Sequence, residues 1–165
     1  MLTCILSDTL EFRSPTTTQE DTAIAHALAK DLGVDIAEYA AQMFAAKSDV
    51  SSFSEAELLR MDSKEYEVDG KKFRVSVLET TSPAAVLNRK DALMAAMPGV
   101  ATEDGADQVL LFVVDILNEE ATMLIPNDFT KSVAEKSFGA TVTGDSVVLP
   151  GVMSRKKQII PNIKV

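Results

Sequence analysis

Apolar residues recur at helical spacing through the first part of the chain and at strand spacing through much of the rest. Ile24, Ala27, Leu28 and Leu32 fall at intervals of three and four and predict one face of a helix that Gly33 stops. Thr17 with Glu20 has capping-box spacing at its start. Asp35 with Glu38 opens a second helix with Ile36, Tyr39, Met43 and Phe44 to bury. A third, short helix begins near Ser54, with Leu58, Leu59 and Met61 on its apolar side. Ahead of these three, residues 1–10 read as the end of a helix or strand that brings Ser7-Asp8-Thr9 to its edge. Pro15 and the threonines after it close that element.

The pattern then changes period. Asp69-Gly70 is a two-residue hairpin signal. Pairing outward from it sets Tyr66 opposite Phe73 on one face, and Glu67–Lys72 and Glu65–Arg74 as ion pairs on the other. Ser82-Pro83 starts a fourth helix with Val86, Leu93, Met94 and Met97 as its core face, and Met97-Pro98-Gly99 ends it. Glu103 to Asp107 reads as a solvated acidic loop. Val109 to Val114 is apolar without a break, as in a strand covered on both sides, and is the candidate central strand. Asp115 follows it at the strand end, a place where an Asp can be catalytic but more commonly caps a turn, and Ala121 to Ile125 forms the next strand. Asn127 or Asp128 caps a helix bearing Phe129, Val133 and Phe138 that ends at Gly139. Thr141–Thr143 and Val147–Leu149 read as a last hairpin. Together these elements predict an α/β fold bordering on α+β, with a mixed β-sheet flanked by helices and preceded by a small helical linker region.

Charge singles out what that last hairpin delivers. The chain has a net charge of −9, yet after Asp145 it holds no acid and four cations, Arg155, Lys156, Lys157 and Lys164. Three of these follow the Pro150-Gly151 turn signal directly. A basic run is ordinarily a solvated face or a favourable helix end. The alternative is a small multivalent anion, because the field at a site is set locally and a guanidinium fork beside an ammonium suits phosphate.

Composition excludes several classes. With 165 residues, 46% of them hydrophobic and 25% charged, the chain can bury the core of an ordinary domain. A pI near 4.6 argues against nucleic-acid binding, which needs spread basic surfaces. The first residues do not read as a targeting peptide, and no stretch approaches the roughly 20 apolar residues of a membrane span. The single cysteine, Cys4, reads as a buried small hydrophobe and fits a reducing cytoplasm. The only histidine, His26, lies off the apolar stripe as an exposed helix residue. There is no internal repeat, Walker-type glycine loop, CxxC or HExxH. The methionines are core filler.

Ser154-Arg155-Lys156-Lys157-Gln158-Ile159-Ile160-Pro161 resembles the signature near the C-terminus of the manganese-dependent (family II) inorganic pyrophosphatases of the DHH phosphoesterase superfamily. Ile5-Leu6-Ser7-Asp8-Thr9-Leu10 with Phe12-Arg13-Ser14-Pro15-Thr16-Thr17-Thr18 resembles the segment that closes the catalytic domain of that family and enters its linker. Lys64 in Ser63-Lys64-Glu65-Tyr66 and the run Leu111 to Asn118 resemble it too. The resemblance covers the whole chain but only the back half of a family member. The chain begins inside an apolar element, as one would after removal of an upstream domain.

The resemblance implies a division into residues 1–14, the end of the catalytic DHH domain; 15–62, a helical linker region; and 63–165, a C-terminal substrate-binding domain. It implies that Arg155 and Lys156 clamp phosphate, that Lys64 helps from the hairpin, and that Asp8 is one metal ligand. Read without it, Lys64 is a solvated lysine and Asp8 a cap or turn residue. The family's Asp-His-His motif has no counterpart here, and one carboxylate cannot hold a divalent metal. The expected function is therefore the substrate-binding lobe of a manganese-dependent pyrophosphatase, with no catalytic residue of its own and inactive alone. Its partners would be pyrophosphate or phosphate, the missing DHH domain and possible second copies of itself. An exopolyphosphatase-like lobe and a non-enzymatic anion-binding or interaction module are the alternatives.

Overall fold

A computed structural model describes all 165 residues. Four helices come first: α1 (Leu2–Thr9), α2 (Gln19–Leu32), α3 (Ile36–Lys47) and α4 (Glu55–Met61). The hairpin β1 (Ser63–Val68) and β2 (Lys71–Thr80) follows, then α5 (Pro83–Leu87) and α6 (Lys90–Glu103). The chain finishes with β3 (Gln108–Asp115), β4 (Glu120–Leu124), α7 (Asp128–Phe138), β5 (Ser146–Pro150) and a π-helical turn over Arg155–Ile159. The five strands form one sheet in chain order. Only β2 and β3 run parallel, joined through α5 and α6, so the sheet is mixed and β3 is its centre. None of the helices is long and apolar enough to cross a membrane.

Strand alternation divides the core in two. Phe73, Val75, Leu110, Phe112 and Val114 point to one face and pack with Leu6, Ala25, Phe44 and Val133, from α1, α2, α3 and α7. Val109, Leu111 and Val113 point to the other and pack with Leu58, Leu59, Val86, Leu93 and Met97 of α4, α5 and α6. Burial on both faces explains why β3 carries no alternating polar residues. The Asp69-Gly70 turn gives the pairing its spacing requires, Val68 with Lys71 through Glu65 with Arg74. Both turn residues have positive φ, 50° and 75°, as a hairpin turn matched to strand twist demands.

Several local expectations are corrected. The capping box of α2 lies one residue further on: the Thr18 hydroxyl accepts the Asp21 amide at 3.1 Å and the Asp21 carboxylate accepts the Thr18 amide at 2.9 Å. Thr17–Glu20 and Thr18–Asp21 have the same spacing, so the sequence alone could not choose between them. The face that α2 buries is Ala25 and Ala29, while Ile24 and Leu32 are 39% and 65% exposed. Small residues there let α2 approach α1 closely. Met61 and Cys4 are also exposed.

Pro98 does not end the fourth helix. A separate helix, α5, takes Pro83 at its start, and α6 runs through Pro98 to Glu103 because Met97, Val100 and Ala101 continue its buried face. That burial outweighs the one backbone bond a proline removes. Thr141–Thr143 is not a strand, and β5 pairs with β4 instead. Of the two ion pairs expected across the hairpin only Glu65–Arg74 forms, at 2.7 Å. The acidic segment after α6 is not simply solvated, since Asp107 accepts the Lys72 amide at 2.8 Å and Asp104 enters a charged network described below.

Candidate anion-binding site

The basic loop is shaped by two buried anchors. Gly151, at φ 73°, turns the chain out of β5; Met153 and Ile159 then plug into the core, and the residues between them must arch over the surface. The Ser154 carbonyl accepts the amides of Gln158 and Ile159 at 2.9 and 3.0 Å, which closes the π-helical turn, and the Ser154 hydroxyl accepts the Lys157 amide at 3.3 Å. Wide turns of this kind gather at functional sites.

Arg155 bends back across the surface to the junction of α4 and β1. Its Nη1 donates to the Asp62 carbonyl at 2.8 Å and lies 2.8 Å from the Asp62 carboxylate. The arginine side chain is only 16% exposed, against 51% for that of Asp62. Nε and Nη2 of Arg155 make no bond within the protein, so one edge of the fork remains undonated. Lys157 reaches the other way, its ammonium donating to the Pro15 carbonyl at 2.7 Å. Lys156 is exposed and unpartnered.

Lys64 stands two residues beyond Asp62. It is exposed, makes no hydrogen bond, and sits directly opposite Val75 in the hairpin. Opposed residues of an antiparallel pair share a face, and Val75 belongs to the cluster that also holds Met153 and Ile159. Lys64 therefore emerges on the side of the sheet that carries the basic loop. The other side of β1 is fixed. Arg74 donates to the Ser63 hydroxyl and the Glu65 carboxylate, each at 2.7 Å, and its Nε lies 2.5 Å from Asp104. Arg60 grips Asp104 from α4, with Nη2 to Oδ1 at 3.0 Å. The Arg60 hydrogen bonds, with the charge of Arg74 beside them, hold the Asp104 carboxyl below the ordinary carboxylate range.

Asp8 lies on the last turn of α1, exposed and without a hydrogen bond. No group of three or more His, Cys, Asp or Glu side chains comes close enough to hold a metal ion. His26 does not join it; its ring stacks on Phe12, with centroids 5.8 Å apart. The donor set in these residues does not fit a divalent cation. Between Asp8 and the linker, Leu10, Glu11 and Phe12 all have left-handed φ, from 50° to 69°. Asp115 plays the structural part expected of it, accepting the amides of Leu117 and Asn118. A cleft of about 480 Å³ opens elsewhere, beside Ser48, Thr81 and Arg89. The donors of Arg89 are already engaged by Glu55 and by the Val50 and Phe53 carbonyls.

Sequence reasoning missed two residues of this constellation, Asp62 and Gln158. Asp62 had no signal beyond its place two before Lys64. Gln158 lay inside the basic signature without a stated role.

Comparison with known proteins now defines the class. The DHHA2 domain family matches residues 41–165, and the chain belongs to that family. It is 45% identical to a Deinococcus radiodurans protein named a probable manganese-dependent inorganic pyrophosphatase, over 99% of this chain and 54% of the relative. It is 38% identical to a protein of the same name from Lactobacillus helveticus, over 98% of this chain and 52% of that one. A crystal structure of a Methanococcus jannaschii protein named a putative family II inorganic pyrophosphatase superposes with a TM-score of 0.84 at 34% identity. It covers 98% of this chain and 52% of its own. The chain thus spans about half the length of the relatives it matches.

Proposed function

We propose that this chain is the substrate-binding lobe of a manganese-dependent inorganic pyrophosphatase, holding diphosphate while a second lobe completes the site. The observation that carries the reading is the docking of the basic loop on the Asp62–Lys64 end of β1 through Arg155. It sets the Arg155 guanidinium against Asp62, two residues from Lys64, which supports a shared anion site for the cations that the family resemblance picks out. The names of the relatives supply the substrate and the metal.

In this reading the free edge of Arg155 takes two oxygens of one phosphoryl group, as a guanidinium fork does. Lys156 and Lys64 serve as point charges on the rest of the anion. Fixed cations stabilise charge that accumulates on phosphoryl oxygens during displacement, without reorganising to do so. Manganese would be held largely by residues outside these 165, with Asp8 contributing one oxygen. Residues 1–14 would then be the end of a catalytic DHH domain, 15–62 its linker region and 63–165 the binding domain, working in the cytoplasm.

The test is calorimetric titration of the 165-residue chain with pyrophosphate. Wild type gives saturable heat; Arg155→Ala and Lys64→Ala each weaken binding at least fivefold. Equal, non-saturating heats for all three would remove the basic loop as a site.

A further inference from the structure

The residue that holds the arch in shape is Gln158. Its Oε1 accepts the amides of Met153 and Ser154, both at 2.9 Å, and its Nε2 donates to the Gly151 carbonyl at 2.6 Å. A single side chain thus satisfies three backbone groups on the incoming limb of the loop from a position on the outgoing limb. Its own backbone is fixed as well, by its amide to Ser154 and by the Asn162 side chain on its carbonyl at 2.7 Å. Arg155 and Lys156 occupy the crest between the two limbs. Without these bonds the three backbone groups of the incoming limb would turn to water, and the placement of the crest would rest on the Met153 and Ile159 anchors, the Ser154 turn and the single contacts of Arg155 with Asp62 and Lys157 with Pro15.

We propose that Gln158 is a positioning residue for anion binding, a clamp that fixes the limb from which Arg155 springs and so presets where its guanidinium sits before any ligand arrives. The inference rests on the reading of the basic loop as the phosphate site. Preorganisation of this kind appears in affinity more than in fold stability, because the ordering of the loop is done in advance and not charged to binding. An amide is suited to the task. It offers an acceptor and a donor together, where a carboxylate would lack the donor and add a negative charge beside the cations.

The experiment is a double-mutant cycle on the full 165-residue chain, with inorganic pyrophosphate as the titrant and thermal melting in parallel. Gln158→Met, which keeps the length of the side chain and removes its polar atoms, should weaken binding five- to tenfold with little change in melting temperature. In the Arg155→Ala background the same change should cost less than twofold, because a clamp has little to position once the guanidinium is gone. A purely structural role would lower affinity equally in both backgrounds, or only through unfolding, and would overturn the proposal. Should Gln158→Met not fold, Gln158→Asn keeps a neutral amide too short to reach all three backbone groups, and its loss of affinity must likewise depend on Arg155. Saturable wild-type binding left unchanged by Gln158→Met overturns this proposal alone. No binding by wild type overturns it together with the functional reading.

Discussion

Arg155 and Asp62, 93 positions apart in the chain, meet through one guanidinium nitrogen that serves both the carbonyl and the carboxylate of the aspartate at 2.8 Å. The carbonyl contact orients the arginine. The carboxylate adds a negative charge beside a site proposed to take an anion. Asp62→Asn keeps the first and removes the second, so it should bind pyrophosphate more tightly, about threefold at low ionic strength, with the gain shrinking as salt screens it. Titrations at two salt concentrations check this, and weaker binding at both would mean that the charge itself holds Arg155 in place.

Arg155→Lys separates charge from geometry. Lysine keeps the positive charge but loses the planar fork and its paired donors. Affinity for pyrophosphate should fall by about tenfold, a loss of the order expected for one charge-assisted hydrogen bond, and the melting temperature should hardly move. Affinity equal to wild type would show that any cation suffices at the crest.

The network of Arg60, Arg74 and Asp104 predicts a stability effect with a definite sign in pH. Hydrogen bonds from Arg60 and the nearby charge of Arg74 lower the carboxyl pKa of Asp104 in the folded chain. A group with a depressed folded pKa contributes stability above its unfolded value, about 4, and loses it as pH falls through the lower folded value. Asp104→Asn should therefore destabilise the chain by about 2 kcal/mol at pH 7. The difference from wild type should shrink below pH 4. Denaturant melts at pH 7 and pH 3 measure both. Because Arg74 also holds Ser63 and Glu65, the same variant should weaken pyrophosphate binding through Lys64.

The elements that were legible in the sequence are those in which local chemistry and burial agree. The continuous apolar run of β3 could only be a strand covered on both faces, and Asp69-Gly70 left the hairpin no other register. The α6 helix was misread because proline is a local signal, whereas the burial of Val100 and Ala101 that carries the helix past it is tertiary. Arg155, Lys156 and Lys64 enter the proposed site on charge and resemblance alone. Asp62 and Gln158 could not be found that way, since each is defined by a bond to backbone that exists only once the loop has folded over β1. Asp104 looked solvated for the same reason, because its arginines come from α4 and β2.

Gly139 tests the backbone alone. It ends α7 in the left-handed region at φ 63°, with open space where a Cβ would be. Gly139→Ala meets no clash, so its whole cost is conformational, about 1 kcal/mol. A denaturant midpoint lowered by that amount, with pyrophosphate binding unchanged, is the expected result. A larger loss would mean that α7 must shift on the sheet.

The last prediction concerns metal. Asp8 is exposed and belongs to no group of three or more His, Cys, Asp or Glu side chains that could hold a metal. A single carboxylate in water competes poorly for a divalent ion that prefers several oxygen or imidazole ligands. Manganese titrated into the 165-residue chain should therefore show only weak binding, and Asp8→Asn should leave that binding unchanged. Pyrophosphate incubated with chain and manganese should release no phosphate above the rate with metal alone, although the chain still binds pyrophosphate. Phosphate release that depends on Asp8 would show that these residues assemble a working metal centre themselves, through self-association or a rearrangement of the left-handed turn at Leu10–Phe12.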